Sequence, residues 1–227
     1  MKNIRAITFD CYGTLIDWES GILNALRPIL AAHNTQLTDQ QVLEAYAQIE
    51  AEIESEPYRI YRDVLREVVL RLGYQLGFTP NPLEAASLAD SIRHWEPFPD
   101  TVAALQRLAT RIQLNIISNI DDDLFAFSAV KMGNPFTHVI TAQQVRAYKP
   151  CHRNFEVALQ RIGLPREQIL HAAESLHHDI TPANALGIDN VWVYRRAGKE
   201  GFGATKPACA IPTYKVARLS ELADLLL

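Results

Sequence analysis

The sequence predicts an α/β protein: a doubly wound parallel sheet whose first strand is separated from the others by an inserted helical domain. Three observations carry that prediction. A short apolar run containing Ile4, Ile7 and Phe9 has the length and composition of a buried strand, and it ends in Asp10 with Gly13 and Thr14 just beyond. From residue 15 to 97 the pattern is amphipathic helix with no strand between. After Pro97-Phe98-Pro99-Asp100, short β-type runs alternate with helical periodicities, the mark of a parallel, doubly wound sheet. The chain therefore divides into a core of residues 1–14 and 98–227 and a four-helix cap of residues 15–97.

In the cap, Ile22, Leu23, Leu26, Ile29 and Leu30 fall at helical spacing. Thr38 and Gln41 form a capping-box pair ahead of the stripe Val42, Tyr46, Ile49 and Ile53. Tyr61, Val64, Leu65, Val68, Val69 and Leu72 make a third helix. Asn81, Pro82 and Glu84 read as N-cap, first helical residue and capping partner of a fourth. In the core, helix 101–110 leads to strand 114–117 and then Ser118-Asn119. Helix 122–132 leads to strand 139–141, and Lys149-Pro150 precedes a helix around 155–162. Strand 169–173 ends at Glu174, a helix closes at Gly187, and strand 191–193 follows. Gly198 to Gly203 reads as a flexible loop whose glycines match no nucleotide fingerprint.

Composition removes several classes of function. A net charge of −4 with interspersed signs offers no basic patch for nucleic acid. No apolar run approaches the roughly 20 residues of a membrane span. Three cysteines, Cys11, Cys151 and Cys209, form an odd set without metal-ligand spacing, and the chain enters its first strand directly. The expectation is a cytoplasmic protein with no disulfide framework.

The polar residues at strand ends carry the chemistry. Asp10, Ser118-Asn119 and Glu174 each follow a predicted strand, and in a parallel sheet those ends point the same way. One such residue is ordinary turn chemistry; three together with Lys149 form a site. A carboxylate there can act as a nucleophile. Thr14, Ser118 and Asn119 would hold substrate oxygens, Lys149 would offset the charge of a small anionic substrate, and Asp179 or Glu174 would activate water.

In order along the chain, these motifs resemble the haloacid dehalogenase superfamily. Asp10-Cys11-Tyr12-Gly13-Thr14 with Tyr148-Lys149-Pro150 is similar to its L-2-haloacid dehalogenase branch. The resemblance covers the whole chain and implies a Rossmann-like core with a helical cap. It implies Asp10, Thr14, Ser118, Lys149 and Asp179 as the catalytic set, with Cys11, Tyr12, Asn119, Glu174 and Ser175 around the substrate. It further implies displacement of halide by Asp10, hydrolysis of the resulting ester, no metal cofactor, and a homodimer. Phosphatases of this superfamily carry a second Asp two residues after the nucleophile to protonate an alkoxide. Tyr12 stands there, and a halide needs no proton.

Several positions depart from the branch. Its cap Arg is absent from Ala45-Tyr46-Ala47-Gln48-Ile49, leaving Arg59 or Arg62 as substitutes. Phe155 replaces a Tyr, and Ile120 a Gly. Glu174 and Asp179 have the spacing of the acids that hold Mg²⁺ with the nucleophile in the phosphatase branch, so a Mg²⁺-dependent phosphatase using Asp10, Glu174 and Asp179 is the second reading. A non-catalytic binding protein of the same fold is the third. Asp121-Asp122-Asp123 opens a helix, where acids suit the N-terminal dipole. His177 and His178 read as surface or pocket-rim residues. Trp18, Tyr58 and Tyr61 are candidates to line the cap–core pocket.

Overall fold

The computed structural model of the chain describes residues 3–227; the first two residues of the predicted core segment lie outside the described residues. Strand β1 (Ala6–Phe9) is followed by α1 (Trp18–Ala32), α2 (Asp39–Glu54), α3 (Tyr61–Gln75) and α4 (Pro82–Ser91). The chain then returns to the sheet through α5 (Thr101–Ala109), β2 (Gln113–Ser118), α6 (Asp122–Lys131), β3 (Phe136–Thr141), α7 (Ala142–Val145) and α8 (His152–Ile162). Strand β4 (Ile169–Ala173), the turn Leu176–Ile180, α9 (Thr181–Ala185), β5 (Asp189–Val193), β6 (Tyr214–Val216) and α10 (Leu219–Leu226) complete it.

The six strands are all parallel, in the order β3-β2-β1-β4-β5-β6. Chain direction across the sheet reverses at β1, which lies between β2 and β4. That is the switch point where an open α/β sheet leaves a crevice beyond its carboxyl ends. In register, Phe9 lies opposite Ile116 on one side and Ala172 on the other. Asp10, Ser118 and the residues after Ala173 consequently emerge together at that crevice.

The cap is fixed over this edge by the two chain segments that link it to the core. The Asp17 N–H donates to Glu96 O at 2.9 Å, Phe98 N–H donates to Leu15 O at 3.0 Å, and Thr101 Oγ1 also donates to Leu15 O at 2.9 Å. Capping boxes open α2 at Thr38 and Gln41 and α4 at Asn81 and Glu84, as the sequence predicts. One hydrophobic cluster runs unbroken from the α1–α4 stripes into the sheet under Phe9, Leu114 and Leu170. Strand β6 and helix α10 are additions that the sequence pattern did not yield; α10 packs on α5 and Asp224 pairs with Arg107 at 2.8 Å. Among the described residues no helix is long and apolar enough to cross a membrane.

The Asp121–Asp123 run opens α6 as expected, with Asp122 and Asp123 in its first turn, but the Asp121 side chain makes no cap to that helix. Asp121 accepts the backbone N–H groups of Tyr61 and Arg62, each at 2.9 Å, and so caps α3 across the cap–core boundary rather than α6. Asp122 accepts from the Thr141 hydroxyl at 2.7 Å and from Gln144 Nε2 at 2.7 Å.

Candidate active site

Asp10 is buried at the mouth of the crevice with both carboxylate oxygens held. Oδ1 accepts from Lys149 Nζ at 2.8 Å, and Oδ2 from the Thr14 hydroxyl at 2.7 Å. The loop that brings Thr14 back to Asp10 turns at Gly13, which has φ +93°, and hangs on the Cys11 carbonyl, which accepts from Leu15 N–H at 2.7 Å and Ile16 N–H at 3.0 Å. A Cβ at Gly13 would lie 2.8 Å from Trp18 Nε1, so the turn also lets the cap tryptophan close in.

Lys149 is only 2% exposed, and its ammonium uses all three donors: Asp10, Asp179 Oδ1 at 2.7 Å and the Ile117 carbonyl at 3.0 Å. Asn119 anchors its backbone, Oδ1 accepting the Lys149 N–H at 2.7 Å and Nδ2 donating to the Lys149 carbonyl at 3.1 Å. Burial works against the lysine charge, but Asp10 and Asp179 outweigh it and hold Lys149 above the ordinary lysine range. Asp179 is likewise disfavoured by burial, yet Lys149 and a hydrogen bond from His171 hold it down at about 2. Burial raises Asp10, and the neighbouring Asp179 charge adds to that against the pull of Lys149. Lys149 thus bridges the two carboxylates and favours the ionised form of each against burial.

Two buried polar atoms beside Asp10 have no protein partner, the Ser118 hydroxyl and Asp179 Oδ2. Orphaned groups of this kind are costly unless something else meets them. A substrate oxygen at Ser118 and a water at Asp179 Oδ2 would do so. These residues share one cavity with Tyr12, Trp18, Glu50, Glu54, Tyr61, Asn119, Ser175, His178 and Thr205. Its volume of ≈ 30 Å³ has room for about two waters, so a larger ligand requires the cap to move.

The structure brings together Asp10, Ser118, Lys149, Asp179, Tyr12, Asn119 and Ser175 on this cavity and corrects the others. Thr14 is fully buried and turned to Asp10 and the Glu174 N–H, which donates to it at 2.8 Å, so it orients the nucleophile rather than holding substrate. Cys11 packs in the core away from the cavity. Glu174 faces neighbouring grooves beside Trp192 and Arg196, where burial and Glu19 push its carboxyl up to about 8. The proposed Mg²⁺ set of Asp10, Glu174 and Asp179 is thereby broken. Lys149 lies between Asp10 and Asp179, and among the described residues no three His, Cys, Asp or Glu side chains converge to hold a metal ion. Tyr12 borders the cavity, but its hydroxyl pairs with Ser128 Oγ at 3.0 Å and its ring stands edge-on to Trp95. Arg59 and Arg62 line nothing here; they pair with Glu56 and with Asp90 and Asp123. Tyr58 packs on Tyr148 outside the cavity.

Four participants escaped the sequence reading. His171, buried in β4, donates from Nε2 to Asp179 Oδ1 at 3.0 Å while Nδ1 pairs with the Thr8 hydroxyl at 2.9 Å. Thr205 comes from the loop after β5. Glu50 and Glu54 come from α2, and their signal was a polar i, i+4, i+8 row with Tyr46 beside the apolar stripe.

The comparisons with known proteins agree with this architecture. A family model for haloacid dehalogenase-like hydrolases matches residues 4–187. The (S)-2-haloacid dehalogenase H-109 of Pseudomonas putida is 30% identical over 100% of both chains. Among solved structures, the L-2-haloacid dehalogenase of Xanthobacter autotrophicus with chloropropionic acid covalently bound aligns over 98% of each chain with a TM-score of 0.81 at 20% identity. A magnesium-bound HAD-hydrolase of Bacillus subtilis aligns over 99% of each chain with a TM-score of 0.82, also at 20% identity.

Proposed function

The chain belongs to the haloacid dehalogenase-like hydrolases, and from that membership we propose that it hydrolyses the carbon–halogen bond of a small (S)-2-haloacid through an ester on Asp10. The observation that carries the reading is the pinning of Asp10: Lys149 holds one oxygen and Thr14 the other, with the carboxylate on the wall of a cavity. A nucleophile so held loses little freedom on reaching the transition state.

In the first step an Asp10 oxygen attacks the substrate α-carbon from the side opposite the halogen. The new C–O bond forms as the C–X bond breaks, and halide leaves with the electron pair. Ser118 donates to the substrate carboxylate. No acid on the Asp10 loop is placed to protonate a departing alkoxide, because the residue two positions on is Tyr12 with its hydroxyl on Ser128. In the second step Asp179 Oδ2 takes a proton from water, which attacks the Asp10 carboxyl carbon, and Lys149 stabilises the oxyanion. The tetrahedral intermediate expels the alcohol oxygen, which takes the proton from Asp179, and the Asp10 carboxyl, left protonated by the water's second hydrogen, releases that proton to solvent to restore the nucleophile. The product is a 2-hydroxyacid of inverted configuration. His171 acts through Asp179, holding its Oδ1 while Oδ2 keeps no protein partner.

The metal-free character of both steps belongs to the same proposal, as do a cytoplasmic setting for three unpaired cysteines and pairing of two copies in solution. One paired assay tests the chemistry: halide release from 2-chloropropionate and phosphate release from a generic ester, each with and without EDTA. The expected result is chloride release that EDTA leaves unchanged and no phosphate. Phosphate release that depends on Mg²⁺ overturns the reading.

A further inference from the structure

The cap wall of the cavity is acidic, and nothing in the two-step scheme uses it. Glu50 is buried and Glu54 half-buried, with its side chain only 7% exposed. Glu50 accepts from the Tyr46 hydroxyl at 2.6 Å and the Tyr61 hydroxyl at 2.5 Å. Glu54 reaches Asn119 Nδ2 with both oxygens at 3.4 Å, and its Oε2 lies 3.9 Å from His178 Nε2. With Asp10 and Asp179 on the floor, four carboxyl groups surround the cavity against the single ammonium of Lys149, whose donors are all engaged.

A substrate carboxylate bound at the free Ser118 hydroxyl sits beside Asn119 and therefore beside Glu54. Two carboxylates in contact inside a buried site cannot both stay ionised without a cation, and among the described residues no free one lines this cavity. Among the described residues no arginine lines the cavity to supply it.

Resting on the reading above, we propose that Glu54 sets which ligands the site accepts: a carboxylate enters only while Glu54 carries a proton, whereas an uncharged amide of the same shape enters whether or not it does. The groups facing Glu54 agree with this. On its own helix stands Glu50, from α3 comes Tyr61, and from the loop before α8 come Lys149 and Tyr148. Asn119 follows β2 and His178 follows β4. Burial raises Glu54 well above the usual carboxylate range, with Glu50 adding to it and Lys149 opposing. Burial likewise brings Glu50 to about 7, and it keeps His178 neutral by lowering it to about 3. The proton needed for the anionic ligand is thus available at neutral pH and is lost on the alkaline side.

The sign follows by linkage. As pH rises through the titration of Glu54, KM for 2-chloropropionate climbs relative to KM for 2-chloropropionamide, by about tenfold per pH unit for one coupled proton. Both ligands keep their own charge across this range, and any titration of Asp10 that acts on chemistry alone cancels in the ratio. Glu54→Gln keeps shape and donor but cannot ionise, so its KM ratio is flat with pH. A ratio that is flat in the wild-type chain, or that still slopes with one proton in Glu54→Gln, overturns the proposal. Should halide release be absent, the same comparison is made by quenching of tryptophan fluorescence with propionate and propionamide, since Trp18 lines the cavity. Proton-linked propionate binding without turnover then upholds the role of Glu54 and rejects only the dehalogenase reading. Failure of both ligands to bind rejects the proposal.

Discussion

An Asp10→Asn variant is expected to release halide at least about 10⁴-fold more slowly than the wild-type chain, the scale of loss when a covalent nucleophile is removed. The amide has the same size and keeps an oxygen for Lys149 and another polar atom for Thr14, so the site stays filled. What disappears is the negative charge that attacks the α-carbon. Burial and Asp179 raise Asp10, so the wild-type rate falls on the acid side as that carboxylate takes a proton. Chloride release measured beside a thermal melt checks this. A folded variant within tenfold of wild-type activity refutes the assignment.

Replacing Lys149 by Met is expected to cost about 10²- to 10⁴-fold in turnover and also stability, because its ammonium bridges Asp10 and Asp179. Breaking a buried charge pair by removing one partner costs about 3–5 kcal/mol. The pH dependence separates this from simple loss of packing. In the wild-type chain Asp179 is held at about 2, below the 3.8 of a free aspartate, so its share of stability is present above pH 3.8 and lost as pH falls through about 2. In Lys149→Met both carboxyls lose their cation and their pKa values rise. The variant is then most stable at low pH and loses stability as pH increases. Thermal melts from acid to alkaline pH measure this. A variant that melts like wild type at every pH contradicts the role given to Lys149.

How far the sequence discloses this molecule depends on what kind of signal a residue leaves. Asp10 and Ser118 were legible because they stand at or just beyond strand ends, where a polar residue after an apolar run is conspicuous, and Lys149 and Asp179 because the order of the four along the chain is specific. The cap helices were legible from 3.6-residue stripes and two capping boxes. Glu174 misled for the opposite reason: spacing to Asp179 matched a metal motif, but the structure places it on a groove with Trp192 and Arg196 and not on the cavity of Asp10 and Asp179. Tyr12 carried weight as a missing acid, and its hydroxyl pairing with Ser128 depends on α6, more than a hundred residues away. Glu50 and Glu54 look from sequence like the solvated side of an amphipathic helix. Their burial depends on how α2 docks over the crevice. His171 hides inside an otherwise apolar strand, where one polar residue has no periodicity to mark it. Strand β6 has three residues, too short for any pattern to rise above its loop.

The central claim is that water adds to Asp10 and not to the substrate carbon. One turnover in H₂¹⁸O, with enzyme in excess over 2-chloropropionate, followed by mass analysis of the peptide containing Asp10 and of the product, tests it most directly. The scheme predicts that the heavy oxygen enters the Asp10 carboxyl, adding about 2 Da to that peptide, while the first-turnover product carries ordinary oxygen from the protein. Label in the product hydroxyl with Asp10 unlabelled would mean direct attack by water and would contradict the ester mechanism.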